Sequence, residues 1–303
     1  MKALFNGVCA LLILLSLNCF AEQTVRIGTW NMEWLDGGAS PKGPSRSDED
    51  YEKMGAMFKS ADMDVMAFEE VGTKSALKKV IGSDFNIEMS TRATEPPDEG
   101  EWIQYTGFAI RKGISYKRHA DVSMDVNNDN HLRNGVDITL YQNGKAYLRL
   151  LAVHLKSSCF YQSKTYSSSC KTLAKQVVVL HKWVKAREGE NVSFAILGDF
   201  NRRMADNTNH WFLNELEGVD DDYVQLYLAT QGKHSKCWSK STSSSGKVTM
   251  HQYTKYIDHI VFNDLAQPSG LSSSFKQTTV SKAQAKAYNL SDHCPISIEY
   301  EPY

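Results

Sequence analysis

The sequence predicts a protein of the α+β class, in which helices and hairpins separate a series of β-strands. Short apolar runs bounded by turn residues recur along the chain and indicate buried strands, the clearest at 194–197. Residues 170–187 repeat apolar side chains at helical spacing. An Asn-Gly pair at 143–144 lies between two strand-like runs and is the strongest short signal for a hairpin.

The amino terminus has the pattern of a secretory signal peptide. Lys2 precedes an apolar run, and Cys19-Phe20-Ala21 ends the segment with small residues where a signal peptidase requires them. We expect cleavage after Ala21, which leaves 22–303 as one domain because no proline-rich linker or repeat divides it. Asn18 argues against lipidation of Cys19. No other apolar run could span a bilayer, so the sequence predicts an exported protein, secreted or periplasmic, without a stable membrane anchor.

The first half of the domain alternates strands with a helix. Residues 25–31 alternate as a strand does, and 64–68 form a second, apolar strand. Between them, Gly, Pro and Ser predict a surface loop over 37–50, with Asp48 or Asp50 capping a helix that runs to about residue 60. Further strands are predicted at 104–111 and 114–122.

The second half begins with the hairpin and the long helix. Strands are predicted at 135–141 and 145–156, followed by the helix at 170–187 and the central apolar strand. A Ser-rich loop at 233–247 holds Trp238 among lysines, a combination that can stack on nucleobases and attract phosphates, although an ordinary disordered loop is the alternative. The remaining elements are predicted as a helix near 209–216 and strands at 256–262 and 296–300.

Polar side chains recur where the apolar strands end. A carboxylate directly after a buried strand is costly unless it binds a cation or a hydrogen-bond donor, so these positions favour a function. Asp199 and Asn201 lie two residues apart and therefore project together. Asp258 lies inside a strand and needs a partner, for which His293 is the candidate, because a carboxylate behind an imidazole raises its basicity. The strand-end residues are Asn31 with Glu33, Glu70, His154 with Lys156, Asp199 with Asn201, Asp258, and Asp292 with His293.

Four cysteines remain after removal of the signal peptide: Cys159, Cys170, Cys237 and Cys294. An even number in an exported protein predicts two disulfides. Cys159 and Cys170 flank one polar loop, which favours their pairing and leaves Cys237 for Cys294, although the sequence does not fix the connectivity. None of the four lies in the close pair that is typical of zinc sites.

Charge is segregated along a nearly neutral chain. The formal net charge is −1, yet residues 138–187 carry 9 basic and no acidic side chains, and residues 231–257 carry 5 and none. This pattern fits a polyanionic substrate that lies on a surface whose acids hold metal ions. Ordinary solvated faces are the alternative for either tract alone.

The strand-end residues, in this order, resemble the endonuclease/exonuclease/phosphatase superfamily, which includes deoxyribonuclease I, abasic-site endonucleases, secreted sphingomyelinases and inositol phosphatases. The most specific matches are Gly198-Asp199-Phe200-Asn201, Ile257-Asp258-His259 and Ser291-Asp292-His293. The resemblance covers nearly the whole domain. It implies a four-layer α/β/β/α sandwich, the deoxyribonuclease I-like fold, with the active site at one end.

The resemblance also implies roles for individual residues. Glu70 corresponds to the metal-binding glutamate and Asn31 to the asparagine of the first strand. Arg133 resembles an arginine that some nucleases place near the substrate phosphate. The implied catalytic residues are His154, Asp199, Asn201, Asp258 and His293, of which Asp199 and Asn201 position phosphate and water.

Three residues depart from the family pattern. Glu69 stands where a glutamine is usual and would add a negative charge near the metal. Glu33 stands where abasic-site endonucleases have an aspartate. Gln104 stands where deoxyribonuclease I has the glutamate that orients its first catalytic histidine.

Hydrolysis of a phosphodiester needs a cation on the phosphate, a base for the attacking water and an acid for the leaving oxygen. We expect His293, held by Asp258, to be the base and His154 to be the acid, and the alternative makes Asp199 the base. Carboxylate and amide oxygens suit Mg²⁺, with Mn²⁺ and Ca²⁺ as alternatives. The predicted metal ligands are Glu70 and Asn31, with Glu33 or Asp292.

The first functional prediction is a secreted, metal-dependent nuclease that acts on DNA, or alternatively on RNA. Arg133, Lys156 and Trp238 are the predicted substrate-binding residues, because basic and aromatic side chains suit a nucleic acid. Protein partners are not predicted from the sequence.

Two other functions are open. A phosphodiesterase or phosphatase for lipid head groups, similar to the sphingomyelinases, or for small phosphoesters would leave the same active site. A lipid enzyme needs an exposed apolar hairpin, which only Phe160, Tyr161 and Tyr166 suggest, and their lysine and serine neighbours argue against it. The third function is a non-catalytic binding protein of the same fold.

Overall fold

Two six-stranded sheets pack face to face, with helices on both outer sides. The computed structural model describes residues 24–38, 43–93, 104–128, 131–206, 210–243, 245–266 and 274–301. The described helices are α1 (Asp48–Ala61), α2 (Lys74–Ile81), α3 (Ser168–Gly189), α4 (Trp211–Glu217) and α5 (Lys282–Ala287). The described strands are β1 (Val25–Leu35), β2 (Val65–Val71), β3 (Phe85–Met89), β4 (Tyr105–Arg111), β5 (Ser115–Arg118), β6 (Val136–Gln142), β7 (Lys145–His154), β8 (Phe194–Asp199), β9 (Leu226–Leu228), β10 (Cys237–Thr242), β11 (Val248–Tyr253), β12 (Asp258–Asn263), β13 (Lys276–Gln277) and β14 (Ile296–Tyr300).

The strand order places β1, β2, β7 and β8 near the centre of the sheets. The first sheet runs β13-β14-β1-β2-β4-β3, the second runs β5-β6-β7-β8-β12-β9, and β10 and β11 form a separate hairpin. The pairs β1–β2 and β7–β8 are parallel, whereas the other pairs are antiparallel. Each parallel pair therefore brings two strand ends to the same edge of its sheet.

Three apolar clusters separate the layers. One fills the space between the two sheets, one lies between the first sheet and helices α1 and α2, and one lies between the second sheet and helices α3 and α4. Strand β7 shows why both faces are apolar, since Leu150 and Ala152 pack against the other sheet and Leu151 and Val153 against the helix layer. This arrangement confirms the predicted α+β class and the four-layer α/β/β/α sandwich.

Helix α1 begins one to three residues earlier than the sequence indicates. The N-cap is Ser47 rather than Asp48 or Asp50, and Ser47 and Asp50 form a capping box in which each side chain accepts from the backbone of the other. Asp50 also accepts a hydrogen bond from the Asn289 backbone N–H at 2.7 Å. The start of α1 is therefore tied to the segment that precedes β14.

The prediction of a loop over residues 233–247 is partly wrong. Strand β10 lies within it and pairs with β11 in an antiparallel register, with Trp238 opposite Gln252. The strands of this hairpin are mostly polar, and β11 is exposed along most of its length, so they lack the apolar alternation that predicts a strand. Short elements were missed for a related reason, because α2, β3, β9, β13 and α5 give windows too brief for a clear period.

Both disulfides follow the pairing that the loop position favours. Cys159 is bonded to Cys170, and Cys237 is bonded to Cys294. The second bond joins the start of the β10–β11 hairpin to the segment before β14. This hairpin, which has no place in either large sheet, is thereby attached to the sandwich.

The predicted signal peptide, residues 1–21, lies outside the described residues and stays a prediction. None of the helices in the described ranges is long and apolar enough to cross a membrane.

Candidate active site

The polar strand ends meet at one edge of the sandwich. His154 at the end of β7 pairs in parallel register with Asp199 at the end of β8, and Asp258 at the start of β12 lies opposite Asp199 on its other side. Asn31 of β1 contacts both Asp199 and Glu70, which links the two sheets. Residues far apart in the chain are therefore neighbours because the strand pairing fixes them.

The end of β8 requires a glycine. Gly198 has a φ of +144°, and a Cβ at this position would lie 1.9 Å from the carbonyl oxygen of Val153. Asn201 then turns with a φ of 51°, and Glu70 at the end of β2 has a φ of 58°. Left-handed backbone at non-glycine residues costs on the order of 1 kcal/mol each and is concentrated at functional sites.

Asp199 accepts three hydrogen bonds within the site. Its Oδ1 accepts the Asn201 backbone N–H at 2.7 Å, and its Oδ2 accepts from the side-chain amides of Asn31 at 3.1 Å and Asn201 at 3.2 Å. Burial raises the pKa of Asp199 to about 7, with the charge of His293 opposing that rise and the charge of Asp258 adding to it. Asp199 can therefore exchange a proton near neutral pH.

Asp258 and His293 form an acid–imidazole pair. His293 Nδ1 lies 2.9 and 2.8 Å from the two Asp258 oxygens, so this nitrogen donates and Nε2 is left to face Asp199 Oδ2 at 3.9 Å. Burial opposes protonation of His293, but Asp258, Asp292 and Asp199 outweigh it and hold the pKa of His293 well above its usual value. The partnership that the sequence suggested for Asp258 is thus present in the structure.

Three carboxylates crowd the mouth of the site next to this pair. The Asp292 backbone N–H donates to Glu33 Oε2 at 3.0 Å, and Glu70 accepts from the Trp34 backbone N–H at 3.2 Å and from Gln104 Nε2 at 2.7 Å. Burial raises the pKa of Glu33 to about 8, and Asp292 and Glu70 add to the rise. Burial raises the pKa of Glu70 as well, with Arg133 lowering it and Asp292 raising it. These carboxylates raise the pKa values of their neighbours, and a cation bound near them would offset that repulsion.

A closer cluster of donors lies deeper in the site. Asp199, Asp258 and His293 each offer a ligand atom, and these atoms lie within 4.8 Å of one another. His293 Nδ1 already donates to Asp258, which suits proton transfer better than metal ligation. Asn31 turns its amide nitrogen toward Glu70 and Asp199, and ligation by its carbonyl oxygen stays a prediction.

His154 lacks the orienting partner that the resemblance to deoxyribonuclease I implies. Gln104 donates to Glu70 instead, and within the described part of the chain the buried Nδ1 of His154 has no hydrogen-bond partner. Its Nε2 lies 3.6 Å from Asp199 Oδ2 and 3.7 Å from Glu70 Oε1. Burial, with help from Arg133, His293 and Lys156, lowers the pKa of His154 well below its usual value.

Glu69 does not act as the extra charge near the metal that the sequence indicates. Its side chain is completely buried and lies 2.9 and 3.1 Å from the Thr29 hydroxyl. Burial raises the pKa of Glu69 well above its usual value, and Asp258 adds to the rise. Burial therefore favours the protonated, neutral form of this side chain, which has the Thr29 hydroxyl as its partner in the interior.

The active-site cleft has a volume of about 450 Å³ and holds most of the predicted residues. Asn31 lies beneath it, Glu33 and Trp238 line a neighbouring cleft, and Lys156 lines neither. The cleft also exposes Tyr253, which sequence reasoning did not select. The predicted residues that line it are Glu70, Arg133, His154, Asp199, Asn201, Asp258, Asp292 and His293.

The model of the Endonuclease/Exonuclease/phosphatase family matches residues 28–293, which includes every strand end described above. The chain belongs to this family. No curated protein matches it in sequence.

Solved structures of the family share the fold. TDP2 from C. elegans matches with a TM-score of 0.61 and 17% identity over 92% of this chain and 75% of that one. D. rerio TDP2 complexed with a single-strand DNA product matches with a TM-score of 0.56 and 17% identity, over 92% of this chain and 99% of that one. An endonuclease/exonuclease/phosphatase family protein from Bacteroides thetaiotaomicron matches with a TM-score of 0.53 and 14% identity, over 92% of this chain and 98% of that one. Identities this low establish the fold alone.

Arg46 helps to hold the active site together, a role that the sequence did not predict. Its side chain is 2% exposed and donates to the backbone carbonyls of Met32, Glu33 and Trp34 on one side. On the other side it donates to the carbonyls of Asn289 and Leu290. One guanidinium therefore fastens the end of β1 to the segment that carries Asp292 and His293. A single arginine in a loop gives no periodic signal, because its acceptors come from remote parts of the chain.

We expect Arg46→Met to lower the free energy of unfolding by about 3 to 5 kcal/mol, because five carbonyls lose a buried charged donor. We also expect kcat/KM to fall, since the segment with Asp292 and His293 loses its anchor. Urea denaturation followed by circular dichroism measures the first effect. Arg111→Met is the control, because its guanidinium is 40% exposed and its ion pair with Asp64 contributes about 1 kcal/mol or less. Equal denaturation midpoints for the two variants would contradict the anchoring role.

Proposed function

We propose that this protein is an exported, metal-dependent phosphodiesterase that hydrolyses nucleic acids. The observation that carries the proposal is one cleft in which the Asp258–His293 pair faces Asp199 and stands beside Glu70 and Asp292. Phosphodiester hydrolysis needs a proton acceptor, a proton donor and a cation, and this cleft offers side chains suited to each task.

The acidic group suits a hard divalent cation. Glu33, Glu70 and Asp292 offer carboxylate oxygens, and the raised pKa values of both glutamates reflect burial together with the charges of their neighbours. Glu70 with Asp292, and with Glu33 or Asn31, would hold the ion, and Mg²⁺ is the first candidate because it prefers a few carboxylates and retains water. When bound, the ion supplies positive charge that stabilises the phosphoryl oxygens in the transition state.

The chain's own residues would then move the protons. Asp258 fixes the proton of His293 on Nδ1, so Nε2 is the nitrogen that accepts a proton from the attacking water. Asn201 holds Asp199 through two hydrogen bonds, which orients this carboxylate toward the same water or the phosphate. His154 lies at the end of β7 beside Asp199, and because burial lowers its pKa we propose that its neutral imidazole donates a hydrogen bond to the leaving oxygen, which takes its proton from solvent. Asp199 as the base is the alternative.

Nucleic acid is favoured over lipid by the side chains around the cleft. Arg133, Arg203 and Lys255 line it, and Lys255 comes from the acid-free tract at 231–257. Tyr161, an aromatic residue that could have served a membrane hairpin, packs against the Arg203 guanidinium at 5.3 Å from the ring centre. A structural neighbour, D. rerio TDP2, is complexed with a single-strand DNA product. The two disulfides suit an oxidising compartment and support export.

Incubation of the purified protein with supercoiled plasmid, RNA or sphingomyelin vesicles, each with Mg²⁺ or EDTA, tests the proposal. We expect plasmid nicking or RNA cleavage in Mg²⁺ and none in EDTA. Sphingomyelin hydrolysis with intact plasmid and RNA would assign the lipid function instead. Inactivity on all three substrates in Mg²⁺, Mn²⁺ and Ca²⁺ would reject the proposal.

The pH profile provides a test of His293 as the base. The carboxylates around His293 raise its pKa and favour the protonated imidazole, so we expect kcat/KM to rise as pH increases toward that pKa. Asp258→Asn removes a charge that raises the pKa, so the rise should move to lower pH. Stopped assays with an oligonucleotide substrate across the pH range measure both profiles.

Two further variants complete this pH experiment. Asp84→Asn removes an exposed carboxylate remote from the cleft and should leave the profile unchanged. His293→Gln should abolish the pH-dependent rise together with most of the activity. A rise that persists in His293→Gln would show that Asp199, not His293, is the base.

A further inference from the structure

A second cleft, here called the side cleft, opens beside the active-site cleft. It lies between the β10–β11 hairpin, helix α5 and the segments 43–45 and 288–292, and its volume is about 520 Å³. This volume falls within the range of sites that bind small molecules or single nucleotides. Glu33 and Asp292, two of the proposed metal ligands, line it, whereas none of the proposed proton-transfer residues does.

The two clefts adjoin each other and share two lining residues. Tyr253 and Asp292 line both of them, and Glu33, whose carboxylate accepts from the Asp292 backbone, lines the side cleft. The disulfide between Cys237 and Cys294 fixes the hairpin next to His293, so the side cleft has a fixed position relative to the catalytic pair. A chain-like molecule held at the active site could therefore extend into the side cleft.

The side cleft combines an aromatic ring with cations. Trp238 lines it, and the Lys282 ammonium lies 4.8 Å from the centre of the Trp238 ring. Lys240 also lines it and donates to the Lys286 carbonyl at the end of α5. Indole rings stack on nucleobases, and lysine ammonium groups bind phosphates.

The acidic residues of the side cleft lie on the side that adjoins the active-site cleft. Glu33 and Asp292 are at the junction with the active-site cleft, where the proposed metal ion would offset their charge. Trp238 and Lys240 belong to β10, which lies in a tract of the chain without acidic residues. A polyanion that crosses the metal site would thus meet an aromatic and basic surface beyond it.

We propose that the side cleft binds a nucleotide of the substrate strand adjacent to the scissile phosphate, with the base on Trp238 and a phosphate on Lys240. This inference rests on the proposed nuclease function and specifies its substrate. The strand must continue past the cleavage point in order to fill the side cleft. The enzyme therefore prefers internal phosphodiesters of a polynucleotide over small phosphodiesters.

The test compares two substrates. One is a fluorescein-labelled single-stranded oligodeoxynucleotide of about twelve nucleotides, and the other is bis(p-nitrophenyl) phosphate, which is too small to occupy both clefts. We expect Trp238→Ala to raise KM for the oligonucleotide about 5- to 100-fold, the range that base stacking on an aromatic side chain supplies. We expect kcat/KM for the small diester to stay within about twofold of wild type. Trp238→Phe, which keeps a ring, should retain most of the affinity for the oligonucleotide.

A binding measurement gives a second readout. Fluorescence anisotropy of the same oligonucleotide, in a His293→Gln background that prevents cleavage, measures Kd at several salt concentrations. Lys240→Met should reduce the slope of log Kd against log salt by about one, because one phosphate contact is lost. Tyr166→Ala is the control, since this side chain is 71% exposed and lines neither cleft.

An unchanged KM of Trp238→Ala for the oligonucleotide would overturn the proposal. An equal loss of kcat/KM on both substrates would also overturn it, because the substitution would then act on the catalytic centre. If wild type cleaves neither substrate, the nuclease function fails. The anisotropy measurement still decides the side cleft in that case, since weaker binding by Trp238→Ala supports the subsite and unchanged binding rejects it.

Discussion

Replacing Asp199 by Asn should lower kcat/KM by about 10² to 10⁴ while the protein remains folded. The range is that of a residue that takes part in proton transfer or orients the reacting water. Asp199 is the only carboxylate among the described residues that accepts from both Asn31 and Asn201, and it lies within 4 Å of both His154 Nε2 and His293 Nε2. Among the polar groups of the site, none has more of the other proposed catalytic residues around it than Asp199.

The isosteric change separates chemistry from folding. The Asn side chain can keep the hydrogen bond from the Asn201 backbone N–H, but its amide nitrogen cannot accept from Asn31 and Asn201, and it carries no negative charge toward the two imidazoles. Because burial penalises the Asp199 carboxylate, removal of the charge offsets part of this loss, and we expect the melting temperature to stay within a few degrees of wild type. Asp199→Ala should lose a similar amount of activity and more stability, since three accepted hydrogen bonds disappear.

Steady-state kinetics on an oligonucleotide and thermal melting of the same preparations measure these effects. Asp264→Asn is a suitable control, because this residue is exposed and accepts only from Tyr227 OH among the hydrogen bonds described. A folded Asp199→Asn protein with wild-type turnover would exclude Asp199 from catalysis. It would also weaken the proposed function, because the site would lack its central acceptor.

The strand-end pattern allowed much of the fold and the site to be predicted. The most predictive segment was Gly198-Asp199-Phe200-Asn201. Its glycine is needed because another backbone segment approaches closely, and its two polar residues lie together at the end of a buried strand. The same reasoning linked Asp258 to His293, because a carboxylate in a buried strand needs a partner. Family membership and the four-layer fold follow from these residues and are confirmed.

Other parts could not be predicted because their stability comes from distant contacts. Arg46 binds carbonyls more than 240 residues away, and nothing in its local sequence marks it. The β10–β11 hairpin is polar on both faces and is held by the bond between Cys237 and Cys294. Gln104 bonds to Glu70 rather than to His154, an outcome that depends on side-chain packing. The predicted roles of the site residues await the experiments proposed for them.

Removal of the metal should abolish most of the activity and lower the stability, and both effects should depend on Glu70. Glu70 is held by the Trp34 backbone N–H and by Gln104, and burial together with Asp292 raises its pKa. A divalent cation bound to this carboxylate would offset the charge of Asp292 and stabilise the folded state.

We expect Mg²⁺ to raise the melting temperature of the wild-type protein, with a stabilisation of about 2.7 kcal/mol when the ion is at a hundred times its Kd. EDTA should reverse the rise and lower kcat/KM by at least about 10², the effect of losing an electrostatic group that stabilises the transition state. Glu70→Gln should show the same loss of activity, and its melting temperature should no longer respond to Mg²⁺.

The variant should melt in EDTA at or above the wild-type temperature. The sign follows from the raised pKa of Glu70, because a carboxyl that is harder to ionise in the folded state than in the unfolded state destabilises the fold increasingly as pH rises above the unfolded pKa. Gln removes this penalty at neutral pH and keeps the hydrogen bond from the Trp34 amide. Glu52→Gln, an exposed change on α1, should respond to Mg²⁺ as the wild type does. If Glu70→Gln retains the full Mg²⁺ response, the ion binds elsewhere, and the closer group of Asp199, Asp258 and His293 becomes the site to test.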